Sequence, residues 1–291
     1  MSARIEQLNI ELPTFSLPAP APENPFKGKS LKSAFSKTLL EMAQKHSELV
    51  VLDADLAEDC GLAPFEDTFH QRFVQIGIAE QDMVSMAGSL AMTGLLPIVN
   101  TYTSFLTSRS NEQIFNAASE KTKVIYIGHL AGLLPSKPGK SHQGIRDISL
   151  LRSIPGLTLC APCNGQELEK LLRILIENIS GPGYLRLEHA CSRNDVELPS
   201  KYEPEPGKGI VLCEGTDIAI ITYGPLMVSE CLLAAQELSK QQISVRVINL
   251  TWLNNLNPEW LIDSLANVST VFCVENHIES GGQGEEIRKL V

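Results

Sequence analysis

Gly77-Ile78-Ala79-Glu80-Gln81-Asp82-Met83, followed by VSMAGSLAMTGLLPIV from Val84 to Val99, is the stretch on which the reading of the chain turns. A carboxylate opens a run that is otherwise built to be buried. Ala79, Met83, Met86 and Leu90 recur at helical spacing, which predicts a helix from about Glu80 to Met92. Gly94 fits its stop, and Pro97 opens the next strand. Ala87, Gly88, Ser89 and Ala91 are small, so another backbone or a flat ligand can come close. An acid in a first helical turn faces the positive end of the helix dipole, which alone explains many such residues. The sharper reading of Glu80 is a carboxyl in an apolar setting, where burial favours the protonated form and a proton can be shared with a ligand nitrogen.

Outward from this stretch, strands and helices alternate. Leu31 to about His46 reads as a helix capped by Ser30. Strands are expected at Leu49–Leu52, Arg72–Gly77, Leu96–Thr101, Lys123–Ile127, Leu157–Pro162 and Tyr184–Leu187. Helices are expected at about Ser108–Glu120 and Gly165–Asn178. The segment from Gly128 to Gly144, with His129 and His142, is expected to be a long loop, and such loops at strand ends are often functional. Asp53-Ala54-Asp55 lies where α/β folds place ligand contacts, at a strand's C-terminal end.

Four segments follow from composition. Residues 1–28 carry Pro13, Pro18, Pro20, Pro22 and Pro25 and read as an extended arm. Residues 29–190 form a first α/β domain with a mostly parallel sheet covered on both faces. Residues 191–209 are a polar, Pro- and Gly-containing linker, and 210–291 a second, smaller α/β domain. In the latter, strands are expected at 217–222, 245–249 and 270–274 and helices at 227–240 and near 258–266.

At 291 residues the chain is 43% hydrophobic and 20% charged, ordinary for a soluble globular protein. A net charge of −10 without a Lys/Arg cluster argues against nucleic acid. The first residues show no basic segment followed by an apolar one, and no apolar run reaches membrane-spanning length. Seven scattered cysteines suit a reducing cytoplasm, so a cytoplasmic location is expected. Cys160-Ala-Pro-Cys163 has CxxC spacing but no second pair near it, and reads as a strand-end coincidence.

Several segments together resemble the transketolase family. They are Gly77-Ile78-Ala79-Glu80-Gln81; Leu96-Pro97-Ile98-Val99 with Tyr102, Phe105 and Leu106; Gln113-Ile114; and Ser141-His142-Gln143-Gly144-Ile145 through Asp147, Leu151 and Arg152 to Ile154-Pro155. Asp217–Gly224 and Val274-Glu275-x-His277 with Gly281-Gly282-x-Gly284 extend the likeness to the second domain. The pattern is similar to transketolases and 1-deoxy-xylulose-5-phosphate synthases, and more distantly to the beta subunit of 2-oxo-acid dehydrogenases. It runs from about Leu31 to Val291, as a pyrimidine-binding domain followed by a transketolase C-terminal domain.

The resemblance implies thiamine diphosphate as cofactor, with the glutamate of the helix-start motif, here Glu80, bonded to the pyrimidine N1′. It implies an aromatic stack on the aminopyrimidine from Phe105, with Tyr102 beside it, and a cofactor-side aspartate at Asp55. His142 matches a histidine that reaches the reacting centre. His129, Arg186 and His189 are further candidates for substrate contact. An arginine that binds substrate phosphate in many members is replaced near His189, and Arg186 stands close by but out of register. Pro138-Gly139-Lys140-Ser141-His142 replaces the common Asp-Gly-x-Thr-His, so a standard pentose-phosphate substrate is in question.

The Gly-Asp-Gly motif that holds magnesium and diphosphate in the family is absent from this chain. A doubly charged anion is not buried unpaired. The resemblance therefore implies a split enzyme. This chain would be the C-terminal subunit, with no metal ligand of its own and a second domain that reads as shortened. An N-terminal subunit would carry the diphosphate-binding domain and the Mg2+ ligands, the two forming a heterotetramer that transfers a two-carbon ketol or related acyl unit between small molecules. Two alternatives stay open: a beta-type subunit of a 2-oxo-acid dehydrogenase or decarboxylase, and a non-catalytic scaffold derived from the family.

Overall fold

The computed structural model describes residues 28–189 and 192–291. The Pro-rich arm, Gly28 apart, lies outside the described residues. Six parallel strands form the first sheet in the order β2-β1-β3-β4-β6-β5: β1 Leu49–Asp53, β2 Phe73–Gln75, β3 Leu96–Tyr102, β4 Ile125–His129, β5 Thr158–Cys160 and β6 Gly183–Arg186. Their central strands are buried on both faces, as β1 is at all five positions, which is why they read as continuous apolar runs.

Side chains alternate between two cores. Leu49, Val51, Ile98, Ile125, Ile127 and Leu185 pack with the Leu31–Lys45 and Gly165–Arg173 helices. Val50, Leu52, Val99, Tyr126 and Tyr184 pack on the other face with Met83, Val84, Leu106, Ile114 and Leu151. Ser30 caps the Leu31–Lys45 helix as expected, its Oγ accepting from the Lys32 N–H.

The second sheet runs β10-β8-β9-β7, with β7 Ile210–Cys213, β8 Ile218–Thr222, β9 Val245–Asn249 and β10 Thr270–Val274. β7 pairs antiparallel to β9; its short half-buried sequence gave no strand expectation. The two sheets share one core, because Ile248, Leu250 and Trp252 join the first apolar cluster. Hydrogen bonds cross between them. The Ala161 N–H donates to the Thr251 carbonyl at 2.8 Å, and the Leu253 N–H to the Leu159 carbonyl at 2.9 Å. The buried Glu167 carboxylate accepts from Asn249 Nδ2 at 2.9 Å and from the Tyr202 hydroxyl at 3.0 Å. Burial raises the pKa of Glu167, against the hydrogen bonds from Cys163, Asn249 and Tyr202.

Four expectations need correction. The helix expected over 108–120 is two helices, Thr103–Arg109 and Asn111–Ser119, broken at Ser110, whose hydroxyl bonds back to the Leu106 carbonyl. The 165–178 helix loosens into a π-turn over Ile174–Asn178. His129 is not on a loop but ends β4, fully buried. The Glu80–Met92 helix has the expected bounds but a different buried face, Met83, Val84, Ala87 and Gly88, leaving Met86 at its exposed edge. The two helices Ala57–Cys60 and Ala63–Thr68 were too short to be legible as periodicity.

Candidate active site

After β1 the chain moves outward to β2, then returns to place β3 on β1's other side. Strand order thus reverses at the β1/β3 seam, and the C-terminal ends there form the crevice where such sheets take ligands. Asp53 closes the seam. Its buried carboxylate accepts from Asn100 Nδ2 at 3.0 Å, Gln75 Nε2 at 2.9 Å and the Leu56 N–H at 2.8 Å. Ties to β2, β3 and the following turn fix three strand ends relative to one another. Asp55, just beyond, is exposed, in a left-handed conformation at φ 62°, its N–H held by Gln75 Oε1.

Glu80 is the first residue of its helix and only 4% exposed. No side chain caps that helix, so its first N–H groups have no side-chain acceptor. Arg109 Nη1 donates to Glu80 Oε1 at 2.6 Å, and the same guanidinium lies 4.0 Å over the centre of the Phe105 ring. Arg109 was missed in the sequence. The available signal was that it is the first charged side chain after Asp82.

Four aromatic side chains continue the wall. The His142 ring meets Phe105 edge-on at 5.0 Å between centroids, and Tyr102 at 6.0 Å. Tyr102 packs on Phe105 at 5.6 Å and on His189 at 6.3 Å. Burial and the nearby Asp59, whose carboxylate accepts from the Tyr102 hydroxyl at 3.3 Å, push the tyrosine up to about 12. His129 Nδ1 and His189 Nε2 share a proton at 3.0 Å, while the buried His129 Nε2 has no partner. Burial holds His129 well below its usual range, helped by His189 and Lys32; burial also lowers His189, to about 4. Both are therefore neutral at pH 7, one donating and the other accepting.

Arg186 does not join this wall. Its side chain is fully buried, with Nε on Asp147 at 2.8 Å, Nη1 on Glu188 at 2.9 Å and Nη2 on the Asn276 carbonyl at 2.8 Å. Its guanidinium is committed inward, to a cluster that joins the two domains. Asn276 in turn accepts the Leu133 N–H on its Oδ1 at 2.9 Å, and the Ile278 N–H bonds the Ile145 carbonyl at 3.0 Å. The second domain thereby grips both ends of the loop that carries Ser141 and His142. Gly132, at φ +85°, lies so close to Asn276 that any Cβ would collide with it.

Among these residues, those that could meet an aromatic cofactor ring are Glu80, Phe105 and Tyr102. The shielded Glu80 carboxylate and the Phe105 ring face both meet one planar N–H donor, the Arg109 guanidinium, the kind of group an aminopyrimidine also presents. Among the described residues no three His, Cys, Asp or Glu side chains converge to hold a metal ion. Cys160 and Cys163 are buried free thiols. Among the described residues no helix is long and apolar enough to cross a membrane.

Comparison with known proteins matches residues 27–193 to the transketolase pyrimidine-binding domain and 207–291 to the transketolase C-terminal domain. A Methanocaldococcus jannaschii protein whose name assigns it as a transketolase C-terminal section is 32% identical over 90% of this chain and 82% of its own length. The 1-deoxy-D-xylulose-5-phosphate synthase of Syntrophus aciditrophicus is 31% identical over 96% of this chain, which spans 42% of that enzyme. A split-gene transketolase solved as an inactive β4 tetramer superimposes with a TM-score of 0.80 at 31% identity, over 91% of this chain and 85% of that one. Transketolase from Leishmania mexicana, at 20% identity, shares the fold, with a TM-score of 0.73 over 88% of this chain and 40% of its own. With both matched domains in order and such relatives along most of its length, the chain belongs to the transketolase family.

Proposed function

We propose that the chain is the C-terminal subunit of a two-component, thiamine-diphosphate-dependent transketolase-like enzyme, with 29–190 as pyrimidine-binding domain and 210–291 as C-terminal domain. A separate N-terminal subunit supplies the diphosphate- and Mg2+-binding groups, in a heterotetramer. The single observation that carries this reading is the buried Glu80 carboxylate that opens the helix after β2, linked through the Arg109 guanidinium to the ring face of Phe105.

Thiamine diphosphate, when bound, supplies the electron sink that lets a carbon–carbon bond next to a carbonyl break. This chain's own residues do the rest. Glu80 holds a proton at the pyrimidine N1′, and the apolar shell of its helix excludes competing water. Phe105 stacks on the ring, and Tyr102 packs on Phe105 and fixes its angle. His142, edge-on to Phe105, faces the reacting centre as a hydrogen-bonding or proton-transferring group, and Asp55 borders the cofactor side. His189, neutral and tied to the buried His129, offers an uncharged group to substrate hydroxyls. The likeness to deoxy-xylulose-phosphate synthases favours a second reading of the cargo, an acyl in place of a ketol two-carbon unit.

The test is Glu80→Gln in the assembled enzyme. The amide keeps the size and a hydrogen bond but cannot exchange the proton, so kcat should fall roughly 10²–10⁴-fold with the complex intact. Turnover within a factor of two of wild type would favour the scaffold reading.

A further inference from the structure

We infer that Arg109 is an internal stand-in for the aminopyrimidine, filling its place in the free chain, so that cofactor binding requires this side chain to swing out. The inference rests on the proposed function. Its ground is the coincidence of two contacts on one side chain: the guanidinium bonds Glu80 at 2.6 Å and lies 4.0 Å above Phe105. These are the two surfaces assigned to the cofactor ring, one for its N–H edge and one for its face. A guanidinium and a protonated aminopyrimidine share what those surfaces recognise. Both are flat, present N–H donors in the plane, and stack on an aromatic ring.

The arrangement has a physical cause in the free chain. A carboxylate as shielded as Glu80 is costly without a partner. Arg109 provides one, and it covers Phe105 as well. The latch can open at little structural expense. Arg109 is the last residue of its helix, its side chain is 46% exposed while that of Glu80 is 5% exposed, and the helix stop at Ser110 does not depend on the guanidinium. A cleft of about 380 Å³, lined by Phe105, Ser108 and Arg109 and continuing to Lys140 and Arg146, lies beside it. The ion pair thus stabilises the free subunit and competes with the cofactor.

Two measurements test this. In the assembled enzyme, Arg109→Ala should tighten thiamine diphosphate binding roughly tenfold, read by quenching of intrinsic fluorescence at fixed Mg2+, because one ion pair and one cation–π contact no longer have to be given up. In the isolated chain, Arg109→Ala should lower the melting temperature, and this loss should shrink severalfold in the Glu80→Ala background, where only the Phe105 contact is left to lose. Unchanged or weaker cofactor affinity in Arg109→Ala, with normal wild-type affinity, overturns the stand-in role. Additive melting effects of the two substitutions overturn the latch. No thiamine diphosphate binding by the wild-type complex would instead overturn the proposed function, and the stand-in role with it.

Discussion

Replacing Arg186 by leucine separates a structural role from a substrate role. The side chain is wholly enclosed and its guanidinium bonds two carboxylates, Asp147 and Glu188, and the carbonyls of Asn276 and Gly144. Leucine fills part of the volume and satisfies none of them. Asp147 keeps the Tyr184 hydroxyl at 2.8 Å, but Glu188 loses its buried cationic partner. Removing one member of a buried ion pair costs about 3–5 kcal/mol. Total stabilities are about 5–15 kcal/mol, so this loss should lower the melting temperature by about 10 °C. Urea unfolding followed by far-UV circular dichroism measures it. The variant should also be pH-sensitive. Burial already raises the pKa of Glu188, against the pull of Arg186. A carboxyl with a raised folded pKa binds more protons folded than unfolded, so its contribution is lost as pH rises through the carboxylate range. Without Arg186 the loss should steepen and acid should partly rescue the fold. A destabilisation below about 1 kcal/mol, with a raised KM in the assembled enzyme, would refute the buried assignment.

Asn276→Ala should cost about 1 kcal/mol, from the lost Leu133 hydrogen bond, and should selectively speed amide exchange in the loop from Leu130 to Arg146. Uniform exchange would show that the second domain does not hold that loop. The neutral histidine pair sets a pH dependence of the opposite sign to Glu188. Because His129 and His189 are both lowered by burial, unfolding takes up protons, and stability should fall as pH drops from about 6.5 toward 4. His189→Gln should reduce that slope by about one proton in titrated unfolding curves. An unchanged slope would mean that His189 binds its proton equally in the folded and unfolded states.

Much of the fold was legible because parallel strands buried on both faces are apolar without interruption, and the Glu80–Met92 helix carried both its start and its stop in sequence. Its buried face was misjudged because apolar residues also line the other side, where Met86 and Met92 are exposed. Glu80, Phe105, Tyr102 and His142 were named from motif order, and the structure brings them to one crevice. Its partners were not legible. Arg109 reaches Glu80 from a helix 29 residues on, and only the break at Ser110, invisible to periodicity, ends that helix there. Arg186 was misplaced for a related reason. Its neighbours Asp147 and Asn276 lie 39 and 90 residues away, and sequence spacing carries no record of such contacts.

On the proposed reading this chain supplies the activating half of a cofactor site and a second subunit the anchoring half. Isothermal titration of thiamine diphosphate with Mg2+ into this chain, into an N-terminal transketolase section, and into their mixture tests it most directly. Stoichiometric binding is expected in the mixture alone. Saturable, Mg2+-dependent binding by this chain unaided would rule out a divided site.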